Sequence, residues 1–195
     1  MGSVVSDPAR PRSALRRGWL IAGTAAAVLV IDQLSKHWAV TELAPPGSVG
    51  KHVIGSLWFR LAFNSGMSFS MGTGHGPIVA LVAFVIIGVL IWLARSIRSL
   101  PQLILIGIVM GGAMGNLCDR IFRAGDGFLG GHVVDFVYTG WWPTFNVADS
   151  AIVVGGIALA VLITFWPDEP EPGPDPDPEP VDADESSALP TIDHQ

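Results

Sequence analysis

Two aspartates, Asp135 and Asp149, lie on either side of an aromatic loop that contains Trp141 and Trp142. Directly after Asp149 the sequence is almost wholly apolar as far as Trp166. Asp149 is therefore predicted at the mouth of a membrane-length segment, and Asp135 on the loop that leads to it. A carboxylate at a membrane boundary is energetically costly, so it marks a functional site by default. Two of them at one boundary indicate an acid/base pair.

The elements that must position this pair are four apolar segments. Half of the 195 residues are hydrophobic and 14% are charged, and the mean hydropathy is +0.49, which is typical of a polytopic membrane protein. A cleaved signal peptide is the competing interpretation of the first segment, but its apolar run continues past Lys36 without a clear small-residue cleavage site. Each segment has about 17–25 residues, enough to cross ~30 Å of hydrocarbon. The predicted spans are residues 18–40, 77–94, 101–117 and 147–166.

The rest of the chain divides into tails and loops. Residues 1–17 form a basic polar tail with four arginines, and residues 167–195 form an acidic, proline-rich tail. This second tail is predicted to be disordered, because it has too little hydrophobic content to offset the entropy of ordering. Between the spans, residues 56–64 predict an extended strand, and residues 118–146 predict a long loop. Residues 18–166 are therefore expected to form the membrane domain.

The arginines predict how the chain crosses the membrane. Four lie in the N-terminal tail and two in the short turn 95–100, whereas the long loops carry basic residues more sparsely. The positive-inside rule then places both termini and this turn in the cytoplasm. Asp32 follows Arg17 by about 22 Å of helix at 1.5 Å per residue, which puts it in the outer third of the first span.

With this orientation, every ionisable residue of the spans falls in the outer leaflet or just above it. An ion pathway would distribute charges across the full depth of the membrane. The clustering favours a reaction centre over a small transporter or channel. A non-catalytic lipid-binding or assembly protein is the third functional class, and it would tolerate loss of the Asp135 carboxylate.

Several of the polar residues also have purely structural interpretations. Asp32 and Lys36 are spaced i, i+4, so they can simply pair on one helix face. Asn146 is a natural N-cap for the fourth span, with an acid in the first turn. Asp119 and Arg120 can form an interfacial pair whose polar ends reach the membrane surface.

Thiol and metal chemistry receive little support. The single cysteine, Cys118, excludes an intramolecular disulfide and a Cys-based zinc site. No histidine lies near it in sequence to activate it as a nucleophile. The histidines show no metal-ligand spacing, so neither a metal nor a cofactor is predicted.

Five motifs occur in the order and on the spans that are typical of one family. Together they resemble those of lipoprotein signal peptidase, also called signal peptidase II. One such motif alone is weak, but five in order on the expected topology are specific. The motifs are DQLSK (32–36), FNSGMSFS (63–70), GNLCDR (115–120), VVDF (133–136) and FNVADS (145–150).

The resemblance implies an intramembrane aspartic endopeptidase of bacteria. The implied fold is an all-α polytopic fold of four transmembrane helices with a small extracytoplasmic β-sheet cradle. The implied substrates are diacylglyceryl-modified prolipoproteins, cut just before the modified cysteine so that the signal peptide is released. The enzyme would span the plasma membrane several times, contact membrane lipid, bind no nucleic acid, act as a monomer, and place its active site at the extracytoplasmic face.

The resemblance also implies residue roles. The family's catalytic pair falls on Asp135 and Asp149. Two close carboxylates do not both ionise easily, so one holds a proton while the other accepts one from water. Because Asp149 lies near a helix N-terminus, which favours its charged form, it is predicted to start as the base and Asp135 as the acid. The family's supporting positions fall on Asp32, Lys36, Asn64, Gly66, Asn116, Asp119, Arg120, Asn146 and Ala148.

Overall fold

The computed structural model describes residues 10–44, 48–66, 76–125 and 127–167. The predicted acidic tail from residue 168 onward lies outside the described residues. Four helices are long and apolar enough to cross a membrane, and a three-stranded antiparallel sheet accompanies them, which confirms the predicted fold class. The elements are α1 (Arg10–Leu43), β1 (Lys51–Ile54), β2 (Leu57–Asn64), α2 (Gly76–Leu93), α3 (Leu100–Phe122), β3 (Val133–Tyr138) and α4 (Val147–Phe165).

Helix α3 is the most buried of the four helices and packs against the other three, with its most extensive contacts to α1 and α4. The small residues of α3 explain how closely α1 and α4 approach it. A methyl group at Gly111 would lie 2.6 Å from the carbonyl oxygen of Ala25 on α1. A methyl group at Gly112 would lie 2.6 Å from the carbonyl oxygen of Ala148 on α4. Small residues therefore let both neighbouring backbones contact α3 directly, as is common between membrane helices.

The sheet lies at the end of the bundle where α1 ends. Its strand order is β1-β2-β3, and β2 pairs antiparallel with both neighbours. One face packs on the last turns of α1, where the Trp38 ring meets Phe59 of β2 at 5.4 Å and Phe136 of β3 at 6.0 Å between ring centroids. Ala39 and Val134 are buried in the same cluster. Apolar burial thus fixes the sheet to the bundle.

Strand β3 lies within residues 118–146, which were predicted to be a loop, so that prediction is wrong for residues 133–138. The strand is short, and its partner β2 is distant in sequence, with Asp135 opposite Ala62. Local sequence patterns do not identify such non-local pairing. The backbone of Val137 also exchanges hydrogen bonds with Phe145, at 2.8 and 3.0 Å between N and O. This closes the base of the aromatic loop and starts α4 beside β3.

Two helices extend beyond the predicted spans. Helix α1 begins at Arg10, so it includes residues 10–17, which were assigned to the polar tail. Helix α3 continues to Phe122, so Asp119 and Arg120 lie inside it rather than beyond its end. Both of these side chains are buried, and they face the bundle instead of the aqueous boundary.

The packing of α3 predicts that Gly111→Ala destabilises the protein. The added methyl would meet the Ala25 carbonyl and, at 2.7 Å, the Cβ of Val28, and overpacking of this kind costs about 1–3 kcal/mol. We expect a lower melting temperature in detergent. Gly88→Ala on α2 is the matched control, because nothing lies within 4 Å of its added methyl. It should be neutral or stabilising, since alanine is the better helix former. Equal melting temperatures for the two variants would contradict this packing.

Candidate active site

Asp135 is held inside the protein by two side-chain amides. It lies on β3, where its side chain is 2% exposed. Its Oδ1 accepts a hydrogen bond from Asn146 Nδ2 at 2.7 Å, and its Oδ2 accepts one from Asn64 Nδ2 at 3.1 Å. The predicted position on a loop is therefore wrong: Asp135 belongs to a sheet whose neighbouring strand supplies one of its two partners. Neither partner carries a charge.

The amide of Asn64 is itself oriented by Gly66. The backbone N–H of Gly66 donates to Asn64 Oδ1 at 2.9 Å, which leaves the Nδ2 side of the amide for Asp135. Gly66 is buried and has a φ of 118°, in the region that side-chain-bearing residues rarely adopt. A glycine at this position therefore allows the turn that orients Asn64.

Asp149 lies in the first turn of α4 and forms a capping box with Asn146. The Asn146 side chain accepts from the Asp149 backbone N–H at 2.9 Å, and Asp149 Oδ2 accepts from the Asn146 backbone N–H at 3.1 Å. The predicted N-cap is confirmed. The other oxygen, Asp149 Oδ1, accepts from Asn116 Nδ2 of α3 at 2.7 Å. Asp149 is thus fixed by two neighbours and remains partly exposed.

Asn146 connects the two carboxylates. It is fully buried, its backbone donates to Asp149, and its Nδ2 donates both to Asp135 and to Asn116 Oδ1, the latter at 3.1 Å. One residue therefore sets the positions of both aspartates. The predicted acid pair is brought together at one end of the bundle, where the sheet and α4 meet.

Beneath the aspartates lies a buried ion cluster centred on Lys36. Its Nζ contacts Asp32 Oδ2 at 2.8 Å, Asn116 Oδ1 at 2.9 Å and Asp119 Oδ2 at 3.0 Å. An ammonium group has three donors, and each has a partner here. The predicted Asp32–Lys36 pair is confirmed, and both side chains have no exposed surface.

The two acids of this cluster also bind backbone groups. Asp32 Oδ1 accepts from the Ala148 N–H at 2.9 Å, one of the free donors at the start of α4. Asp119 Oδ2 accepts from the Val134 N–H of β3 at 3.2 Å. Ala148 is buried against Gly115 of α3, so a larger side chain would separate these helices. The cluster therefore ties α1, α3, β3 and α4 together.

Asp119 does not pair with its neighbour Arg120, so the predicted interfacial pair is wrong. It pairs with Lys36 and, through Oδ1 at 2.7 Å, with Nε of Arg123 one turn later. Arg123 was not singled out in the sequence, although its i, i+4 spacing from Asp119 indicates the pair. Gln33 was also missed: its amide contacts Asp119, Asp32 and the Gly115 carbonyl.

Arg120 remains a buried cation beside the aspartates. It is 5% exposed, and its charge interacts with Asp135, Asp119 and Asp149. Its Nη1 makes no hydrogen bond to any part of the chain that the structure describes. A buried donor without a partner is uncommon and requires an explanation. One explanation is that Nη1 donates to a polar group of a bound substrate.

The electrostatics distinguish Asp135 from an ordinary carboxylate. Burial, and then the negative charge of Asp149, raise the pKa of Asp135 from its ordinary 3.8 to about 7. Hydrogen bonds from Asn64 and Asn146 and the charge of Lys36 act in the opposite direction. Near neutral pH Asp135 can therefore hold a proton, which a general acid requires. Within the described ranges, no group of three or more His, Cys, Asp or Glu residues is arranged to hold a metal ion.

Comparison with known proteins identifies the family. The family model for signal peptidase (SPase) II matches residues 24–165. The chain belongs to the signal peptidase II family. Proteins named lipoprotein signal peptidase are similar to it: one from Mycobacterium avium (strain 104) is 44% identical over 153 residues, covering 78% of this chain and 83% of that protein. One from Rhodococcus jostii (strain RHA1) is 47% identical over 159 residues, covering 80% and 78%.

A solved structure supports the same fold for this signal peptidase II family member. It is described as a bacterial membrane enzyme determined by the in meso method at 2.3 Å resolution. It aligns with a TM-score of 0.59 and 24% identity over 84% of this chain and 95% of the other. The family and the four apolar helices make this chain a multi-pass membrane peptidase.

The site predicts that Lys36→Met strongly destabilises this peptidase. It would leave Asp32 and Asp119 buried without their shared cation, and breaking a buried ion pair costs about 3–5 kcal/mol. The matched control is Lys51→Met. Lys51 also contacts a carboxylate, Glu42, at 2.9 Å, but the two side chains are 51% and 52% exposed, so its loss should cost at most about 1 kcal/mol. Thermal unfolding in detergent compares them, and a Lys36 variant as stable as the Lys51 variant would refute the role of the cluster.

Proposed function

We propose that this chain is a lipoprotein signal peptidase that acts as an aspartic endopeptidase. It hydrolyses the peptide bond just before the diacylglyceryl-modified cysteine of a prolipoprotein and so releases the signal peptide. The observation that carries the proposal is the pair Asp135 and Asp149, held by one shared residue, Asn146, with burial and the charge of Asp149 raising the pKa of Asp135 to about 7. Such an asymmetric pair is what water activation by two carboxylates requires.

The reaction follows from this asymmetry. Ionised Asp149 takes a proton from water while the water oxygen attacks the scissile carbonyl carbon. Asp135 gives its proton to the carbonyl oxygen, so a neutral tetrahedral intermediate forms. Asp149 then gives its proton to the leaving nitrogen of the cysteine, and Asp135 takes one back from a hydroxyl group as the C–N bond breaks. Both aspartates return to their initial states.

The surroundings suit a substrate that lies at the membrane boundary. The site is at the end of α1 and α3 and the start of α4, so all of its polar groups share one end of the bundle. The positive-inside rule assigns this end to the extracytoplasmic face and both termini to the cytoplasm. Arg120, with its unpaired Nη1, is the residue available to bind a substrate carbonyl or lipid headgroup. We assign supporting roles to the remaining polar residues of the network: Asp32, Lys36, Asn64, Asn116, Asp119 and Asn146.

The first functional prediction concerns the two carboxylates. Asp135→Asn and Asp149→Asn should each reduce prolipoprotein cleavage at least about 10²- to 10⁴-fold, because each removes a group that transfers protons. Cleavage is measured by the mobility shift of a lipid-modified precursor on a gel. Glu42→Gln is the control, since Glu42 is half-exposed and pairs only with Lys51 among the contacts observed, and it should retain full activity. Near-normal turnover by either aspartate variant would refute the pair.

The second functional prediction concerns pH. Because Asp135 must carry a proton, kcat/KM should be retained below its pKa of about 7 and fall tenfold per pH unit above it. The hydrogen bond from Asn64 favours the ionised form of Asp135. Asn64→Ala should therefore move the alkaline limb of the profile to higher pH, in addition to any loss of rate. A profile that rises between pH 7 and 9 would contradict the assigned acid.

A further inference from the structure

An apolar groove of about 390 Å³ opens beside Asp149, outside the network of amides and ion pairs. The aromatic loop lines one side, and the first turns of α4 line the other. Almost all of its surface is apolar. Its principal lining residues are Thr139, Trp141, Trp142, Asp149, Val153 and Val154. On α4 the groove therefore begins at the carboxylate and runs one helical turn deeper along the helix.

Thr139 lines this groove and carries a hydroxyl group that has no hydrogen-bond partner among the described residues. Its Oγ1 is shielded from solvent and makes no hydrogen bond to any residue that the structure describes. An unsatisfied hydroxyl of this kind commonly indicates a ligand or a bound water. Because the hydroxyl makes no hydrogen bond, it can change to another staggered rotamer to meet a ligand in the groove without breaking one.

We propose that this groove holds one acyl chain of the substrate's diacylglyceryl group, and that the Thr139 hydroxyl donates a hydrogen bond to the ester carbonyl of that chain. This inference rests on the proposed function. The cysteine that bears the lipid is one side of the scissile bond, so the acyl chains leave from a point a few bonds away from the aspartates. The groove starts at Asp149, one of those aspartates.

The polar end of the groove favours an acyl chain over the signal peptide itself. A signal peptide that enters the membrane as a helix uses its carbonyl groups within the helix, except for those of its last turn. An ester carbonyl is a free acceptor at the top of an otherwise apolar chain. Val153 and Val154, which are 58% and 67% exposed, then lie beside the chain below the ester.

The hydroxyl is tested with Thr139→Val, which keeps the shape and removes the donor. Two lipopeptide substrates of equal chain length are compared, one with ester-linked acyl chains and one with ether-linked alkyl chains. We expect KM for the ester substrate to rise about five- to tenfold, as for loss of one neutral hydrogen bond. kcat for the ester substrate and KM for the ether substrate should not change. Thr139→Ser should restore the wild-type KM.

The groove is tested separately with Val153→Trp. This substitution should raise KM for a substrate with long acyl chains more than for one with acetyl groups. Val85→Trp is the matched control: Val85 lies on α2, is 57% exposed, and does not line the groove. It should leave KM unchanged for both substrates.

The outcomes separate this inference from the proposed function. Equal losses by Thr139→Val on ester and ether substrates would overturn the ester contact and indicate a peptide contact instead. An unchanged KM with a higher melting temperature would also overturn it, because the hydroxyl would then be only an unsatisfied buried group. If the folded wild-type protein cleaves neither substrate, the proposed function fails, and this inference fails with it.

Discussion

The contact on which the rest of the site depends is the ammonium group of Lys36 among Asp32, Asn116 and Asp119. A charge buried in a membrane protein is tolerated only when it is paired and fully hydrogen-bonded. Here the three donors of Lys36 meet three acceptors. The other oxygens of Asp32 and Asp119 accept from Ala148 N–H and Arg123 Nε, and the Val134 N–H shares Asp119 Oδ2 with Lys36. The cluster therefore satisfies its own charges and fixes the starts of α4 and β3, the two elements that carry the candidate catalytic pair.

The four aspartates of the site fall into two electrostatic classes. Asp32 and Asp119 contact cations directly, so their negative charge is compensated and they serve as fixed anchors. Asp135 and Asp149 receive their hydrogen bonds from amides only. Asn116 lies between the two classes of aspartate: its Oδ1 accepts a hydrogen bond from Lys36, and its Nδ2 donates one to Asp149. Burial of a carboxylate that has no cation bound directly to it favours its protonated form, and this makes Asp135 the candidate acid.

The sequence predicts the helices, the paired acids and the i, i+4 contact of Asp32 with Lys36, because these depend on local spacing and membrane length. It does not predict the contacts made by β3. The Val134 N–H reaches Asp119 only because β3 pairs with β2, a strand that is distant from it in sequence. The prediction of an Asp119–Arg120 pair is wrong for a simple geometric reason: successive helix residues do not face each other, whereas residues four apart do. Asn116 was identified as a supporting position by family resemblance, but its bridge between Lys36 and Asp149 depends on how three helices pack.

The direct hydrogen-bond partners of the candidate catalytic pair are amides rather than cations, which matches the proposed chemistry. In that cycle each aspartate must be charged in one step and neutral in the next. A lysine or arginine bound directly to either one would stabilise the charged form throughout and hold its pKa low. The side-chain amides of Asn64, Asn116 and Asn146 have no titratable proton at these pH values, and their N–H groups can donate to a carboxylate or to the carbonyl oxygen of a protonated carboxyl. The geometry can therefore persist while the proton moves. Lys36 lies one hydrogen-bonded residue away, beyond Asn116, and acts on Asp135 only through its charge, which burial and the charge of Asp149 outweigh.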